Sequence, residues 1–304
     1  MQDPQPDFQP LPGAPETLAP GLRRIVAPNA SPMTYRGTNT YLVGRRGLAV
    51  IDPGPMLEAH LDAILAAVTL GQRITHILVT HAHLDHSPLA RPLSEATGAP
   101  VLAFGDAASG RSEEMQALAE SGMVGGGEGV DAGFAPDKCL ADGARVAGDG
   151  WQLEALHTPG HFGNHLSFAW DDMLFSGDVV MGWASSLVSP PDGDLTAFMA
   201  SLSRLAARRW SRFHPGHGAP VDAPAERLSD LRDHRLMREA QILSALGSGA
   251  SDATSLAARI YTDTPAALLP AATRNVLAHL LDLQASGRAR VLTALSEKAM
   301  FEVT

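Results

Sequence analysis

The stretch "ILVTHAHLDHSP", Ile77–Pro88, sets three histidines and an aspartate within six residues, directly behind an apolar run. The run Ile74–Thr80 predicts a buried strand that stops where the histidines begin. In extended chain, residues i and i+2 share a face, so His81 and His83 can converge on one ion. Asp85 and His86 fall where the next helix is expected to start, and they can turn towards a second ion. Zinc favours imidazole and carboxylate ligands, and a catalytic site keeps one position for water. By composition, H-x-H-x-D-H would arise by chance in about one such chain in a thousand.

One cluster cannot complete two coordination spheres. Three more candidates stand at the ends of expected strands. "HTPGH" supplies His161 after the strand Trp151–Leu156. "FSGD" supplies Asp178 after Met173–Gly177. "HPGHG" supplies His217 after Arg212–His214. The Pro-Gly pairs make sharp turns that can aim the following histidine inward.

The rest of the chain agrees with a globular enzyme. It has 304 residues, 45% of them hydrophobic, enough for one large domain or two smaller ones. The net charge is −10. Residues 226–304 hold nine basic and nine acidic side chains, which leaves fourteen against twenty-four in residues 1–225. So acidic a main domain is a poor general binder of nucleic acid, because that affinity comes mostly from phosphate neutralisation. The single cysteine, Cys139, excludes an intrachain disulfide. No apolar stretch approaches a membrane span, and the start of the chain lacks a secretory apolar core. A soluble, cytoplasmic protein with no membrane partner is expected.

Residues 1–20 are Pro-rich and predict a surface arm, extended or disordered. Residues 21–225 alternate strands with helices. "TYLVG" and "LAVID" predict strands joined by "GRRG", and Met56–Leu70 predicts a helix. Gly122–Gly133 is glycine-dense and predicts a mobile loop at the cleft mouth, beside a short helix at Arg111–Glu120. Leu195–Trp210 predicts an amphipathic helix. Residues 226–304 predict three helices, at Glu226–Leu246, Ser251–Ile260 and Pro265–Ser286, and a terminal hairpin. That pattern is winged-helix-like. His60 and His279, on helical segments, are expected at the surface or partly buried. The apolar face Val276–Leu283 is a candidate for a homodimer contact.

The metal constellation resembles the metallo-β-lactamase superfamily. More of the chain, through "SPMTYRGTNTYLVG", "LAVIDPGP", "HTPGHFGNH", "HPGHGAPV" and "NVLAHLLDLQASGRARV", resembles its β-lactamase-like protein 2 branch. The resemblance covers most of residues 25–295. It implies a four-layer αβ/βα sandwich, an α/β fold with the metals at one edge of two sheets. It also implies a ligand division: His81, His83 and His161 on one metal, Asp85, His86 and His217 on the other, and Asp178 bridging. The chain departs from the branch at Phe162 and Asn164, where a Thr and an Asp are usual.

Two divalent ions polarise a carbonyl or phosphoryl centre and supply a nucleophile at neutral pH, so hydrolysis is expected. Zn²⁺ suits the histidine-rich set, and Mn²⁺ or Fe²⁺ also fit its carboxylates. Asp85 can bind metal and steer a proton. His165, four residues after His161, can assist an oxyanion or leaving group. Asp52 can orient a metal-binding imidazole from behind.

The resemblance points to an endoribonuclease on single-stranded RNA. The alternative substrate is a small ester, thioester, lactone or amide, as in glyoxalase II relatives. A third class is a nucleic-acid-binding regulator acting through the tail, which would require a basic stripe that the neutral tail does not offer. The tail is instead expected to wall the cleft.

Overall fold

The structure, a computed structural model, describes residues 3–304. A seven-stranded sheet takes its strands in chain order: β1 (Glu16–Ala19), β2 (Leu22–Val26), β3 (Asn39–Val43), β4 (Gly47–Ile51), β5 (Arg73–Leu78), β6 (Val101–Ala103) and β7 (Lys138–Cys139). Strands β1 to β4 pair antiparallel, and β4 to β7 parallel. A five-stranded sheet holds β8 (Arg145–Gly148), β9 (Trp151–His157), β10 (Leu166–Trp170), β11 (Met173–Gly177) and β12 (Arg212–Pro215). Only β11 and β12 run parallel there.

Alternation along the strands builds the layers. In β4, Leu48 and Val50 pack outward with Ile64 of α1 (Glu58–Ala66) and Leu93 of α2 (Ala90–Thr97). Ala49 and Ile51 of the same strand pack inward with Phe168 and Phe175 of the second sheet. Leu174 of β11 turns the other way, onto Phe198 and Leu202 of α4 (Leu195–Ala206). Helix, sheet, sheet and helix therefore stack as the expected four-layer sandwich.

The tail comprises α5 (Pro224–Leu246), α6 (Ala253–Ile260), α7 (Leu269–Ala285) and an antiparallel hairpin of β13 (Ala289–Val291) and β14 (Phe301–Val303). It does not stand apart. Leu228 and Leu231 of α5 share a core with α4, and Leu256 and Leu277 share one with Met115 and Leu118 of α3 (Glu113–Glu120).

Several expectations need correction. Part of the supposed N-terminal arm is strand: Glu16–Ala19 pairs with β2. Phe8 is buried, 6.3 Å from Tyr35 in a stacked pair. Met1 and Gln2 lie outside the described residues. His60 and His279 are fully buried. α1 lies face down on the sheet, so the Nε2 of His60 meets Thr40 Oγ1 at 2.8 Å. His279 is inside because α7 is covered on several sides. The apolar face Val276–Leu283 is spent in the same way, within the chain's own core, and offers no surface for a dimer. No helix among the described residues is long and apolar enough to cross a membrane.

Candidate metal centre

Strands β4, β5, β11 and β12 all release their following loops at one edge of the sandwich. There β5 delivers His81, His83, Asp85 and His86, and β11 delivers Asp178. β12 delivers His217, and the loop after β9 delivers His161. All seven are buried, none more than 6% exposed. Ligand atoms of His81, His83 and His161 lie within 4.8 Å of one another, as do those of Asp85, His86 and His217. Asp178 stands between the groups. Its Oδ1 is 3.5 Å from His86 Nε2, and its Oδ2 is 3.3 Å from His217 Nε2 and 3.7 Å from His161 Nε2.

These atoms fit divalent ions better than they fit each other. His81 Nε2 lies 2.9 Å from His83 Nδ1, and His161 Nε2 lies 3.1 Å from that same atom. His86 Nε2 and His217 Nε2 are 3.3 Å apart. Four of the five imidazoles, all but His83, have a fixed tautomer, because the remote nitrogen donates elsewhere. His86 Nδ1 donates to Asp52 Oδ2 at 2.9 Å, and His161 Nδ1 to the Leu187 carbonyl at 2.7 Å. His81 Nδ1 donates to Thr80 Oγ1 at 2.9 Å, and His217 Nδ1 to the Gly37 carbonyl at 3.2 Å. That leaves four Nε2 lone pairs aimed inward, the arrangement by which outer partners tune metal-binding histidines. Oxygens Oδ1 of Asp85 and of Asp178 are buried without a hydrogen-bond partner among the described residues, which is costly unless a cation takes them up.

The charge balance of the protein alone says the same. Burial disfavours a His217 cation, yet Asp178 and Asp85 push its ring up to about 10. Burial also resists ionisation of Asp85, but His86 and His217 hold its carboxyl far below the usual range. By contrast, burial and the neighbouring His161 lower His83 to about 3. Two carboxylates thus demand positive charge among imidazoles packed too tightly to be protonated together, and divalent cations meet that demand.

Asp52 ties the loop after β5 to the end of β4. Besides His86, its carboxylate accepts from the Thr80 N–H at 2.7 Å and from Thr80 Oγ1 at 2.8 Å. Its backbone has φ +50, a left-handed value that costs energy outside glycine. Gly216 is needed for room: a Cβ there would lie 2.2 Å from Asp178 Oδ1.

His165 is placed differently from expectation. It is fully buried and does not reach the cleft. Its Nδ1 donates to Thr158 Oγ1 at 2.9 Å, and its Nε2 accepts the Asp178 N–H at 3.1 Å. Nε2 holds the Asp178 loop and Nδ1 is tied to Thr158, so neither nitrogen is free. Phe162 packs on the His83 ring at 4.8 Å between centroids, and Asn164 Oδ1 accepts the Ala82 N–H at 3.3 Å. Asn164 thus braces the metal loop.

A cleft of about 210 Å³ opens over the ligands. Its walls include Met33, Trp183 and Glu128, and from the tail Tyr261, Leu268 and Asn275. The glycine-rich segment crosses its mouth. It is pinned where Gly126 N meets Ser189 Oγ at 2.8 Å and where Asp131 N meets the Ala82 carbonyl at 2.9 Å. Sequence reasoning missed Arg227 and Arg235 of α5. Arg227 donates to the carbonyls of Met181 at 2.7 Å and Ala184 at 2.6 Å, and Arg235 to that of Ser186. An eight-residue spacing, near two helical turns, was the available signal: it puts both on one face.

Comparison with known proteins agrees with this geometry. Residues 33–227 match the Metallo-beta-lactamase superfamily, and residues 253–295 the Beta-lactamase associated winged helix domain. The Beta-lactamase-like protein 2 homolog of Drosophila melanogaster is 31% identical over 295 residues, 92% of this chain and 94% of that protein. An atrochrysone carboxyl ACP thioesterase of Paecilomyces divaricatus is 31% identical over 254 residues, 82% of this chain and 71% of that one. The crystal structure of a beta-lactamase domain protein from Burkholderia ambifaria shares the fold. Its TM-score is 0.80 at 22% identity, covering 98% of this chain and 96% of that one. With its buried His and Asp cluster at the sheet edge, the chain belongs to the metallo-beta-lactamase superfamily of hydrolases and carries that superfamily's associated winged helix domain at its C-terminal end.

Proposed function

We propose that the protein is a dinuclear metal-dependent thioester hydrolase whose apolar cleft receives the acyl group. The observation that carries this is the cleft lining. Pro32, Met33, Met181, Trp183, Leu187 and Leu268 surround the ligands, and no Lys or Arg among the described residues lines the cleft. A single-stranded RNA track needs cationic groups along the backbone and aromatic platforms for the bases. Here the polar groups include Glu128, which repels phosphate. The endoribonuclease expectation therefore draws no support from this cleft, and the thioester alternative is preferred. Fungal relatives named as thioesterases support the same choice.

In this reading His81, His83 and His161 hold one ion, and Asp85, His86 and His217 the other, with Asp178 between. Zinc is the ion that five imidazoles and two carboxylates favour. When bound, the ions supply Lewis acidity and lower the pKa of water. Asp85 Oδ1, without a hydrogen-bond partner among the described residues, would accept a hydrogen bond from the attacking water and steer its proton towards the leaving sulfur. The water oxygen joins the acyl carbon, the C–S bond breaks, and the thiolate takes up the proton. His165 does not touch the substrate and positions Asp178.

A turnover panel on the purified protein tests this: acyl-thioesters, lactones, a cephalosporin and single-stranded RNA, each with and without chelator. Chelator-sensitive thioester hydrolysis well above the other activities is expected. Turnover of RNA with no thioester turnover would overturn it.

A further inference from the structure

Arg235 is a buried cation with no buried counter-ion. It is 2% exposed, and no carboxylate among the described residues lies within salt-bridge distance of it. Taking a guanidinium out of water is expensive unless its donors are well placed. Its two Nη donors go instead to a carbonyl of the segment 186–188 and to a side-chain amide of α7. Nη2 donates to the Ser186 carbonyl, and Nη1 to Asn275 Oδ1 at 2.9 Å. The same Asn275 oxygen accepts the Val188 N–H at 3.1 Å. Residues 186 and 188 are thus held from the tail, one by α5 and one by α7. The residue between them is Leu187, whose carbonyl receives the Nδ1–H of His161 at 2.7 Å.

We propose that Arg235 and Asn275 are positioning residues through which the C-terminal tail sets the metal affinity of the ion held by His81, His83 and His161. The relay runs from the guanidinium and the amide, through the peptide 186–188, to the imidazole of His161. Its physical basis is geometric. The Leu187 carbonyl fixes both the tautomer and the ring angle of His161, and such outer partners typically alter metal affinity 10–100-fold. A peptide tethered on both sides keeps that carbonyl in place. The other ion has its own supports, Asp52 behind His86 and Gly37 behind His217, neither of which is among the groups that Arg235 or Asn275 contacts. The effect should therefore be confined to one ion. The inference rests on His161 being a ligand.

The experiment is equilibrium dialysis of metal-free full-length protein against Zn²⁺ alone, yielding two affinities. His161→Ala and His217→Ala assign each affinity to its ion. Arg235→Met, Arg235→Lys and Asn275→Ala are then measured, with Tm as a separate readout. The expected result is a 10–100-fold loss at the His161 ion in Arg235→Met and Asn275→Ala, with the His217 ion unchanged and partial recovery in Arg235→Lys. Asn275 is partly exposed, so Asn275→Ala keeps the test decisive if Arg235→Met does not fold. Unchanged affinities in Asn275→Ala, or equal losses at both ions, would overturn the relay while leaving the ligand set intact. If His161→Ala itself leaves Zn²⁺ binding unchanged, the ligand assignment fails, and the relay fails with it.

Discussion

Nδ1 of His86 lies 2.9 Å from Oδ2 of Asp52, and both side chains are buried. The carboxylate sits at the end of β4 and the imidazole beyond the end of β5. Two strands therefore cooperate in aiming a single Nε2. Asp52→Ala should weaken the ion held by His86 by roughly 10–100-fold. It should also cost stability, since Thr80 loses both its acceptors. Zinc titration of the variant measures the first effect, and an affinity unchanged within error counts against Asp52 as the orienting group.

Asp178 lies within 3.7 Å of ligand atoms from both groups. A carboxylate shared by two ions should weaken both when removed. Asp178→Ala is expected to hold fewer than two ions per chain after dialysis and to lose nearly all hydrolytic activity. Elemental analysis is the check, and two tightly held ions in the variant would refute the bridging role.

The acyl-binding wall can be tested by point changes. Cutting the chain near residue 225 would open two shared cores, so truncation would unfold more than it tests. Leu268 contributes to the cleft from the tail. Leu268→Ala should lower kcat/KM for long-chain thioesters by roughly ten-fold, given about 0.8 kcal/mol per buried CH₂. Acetyl thioesters should be affected little. Equal losses for both chain lengths would remove the tail from substrate binding.

Acid should destabilise the tail through His279. Burial, followed by the charges of Arg235 and His234, lowers this imidazole to about 3, and neither ring nitrogen has a partner. The unfolded chain titrates near 6.5, so below that pH it binds a proton that the folded state refuses. Stability is then full above about 6.5 and falls as pH drops towards 3, by about 1.4 kcal/mol per pH unit for one such group. His279→Leu should show a shallower loss. Urea unfolding of metal-free protein between pH 7 and 5 gives both slopes, and identical slopes would exclude His279 as a contributor.

The glycine-rich segment should prove mobile only in part. Gly126 N and Asp131 N are bonded to neighbours across the cleft mouth. Amide exchange should be fast at Gly125 and Gly127 and slower at Asp131. Uniformly slow exchange through residues 122–133 would disprove its mobility.

Much of this protein was legible in the order of its residues. Period-two alternation announced the strands, and histidines after strand ends announced the metal edge, because both signals are local. The run His81–His86 carries its chemistry within six residues. The tail's three helices and hairpin were also readable, since helical periodicity needs no partner to be seen. What the tertiary structure alone decided is where side chains distant in sequence meet. His165 has the same composition-level signal as a ligand, but the fold turns it beneath Asp178. His60 and His279 look like surface residues on helices until packing covers every face. The apolar side of α7 looked free for a second copy because nothing in its own sequence shows that α4, α5 and α6 close over it. Arg235 carries no motif at all. Its role depends on a carbonyl 49 residues earlier and an amide 40 residues later. Such pairings depend on the tail packing its apolar faces against the rest of the chain, which sets polar groups distant in sequence side by side.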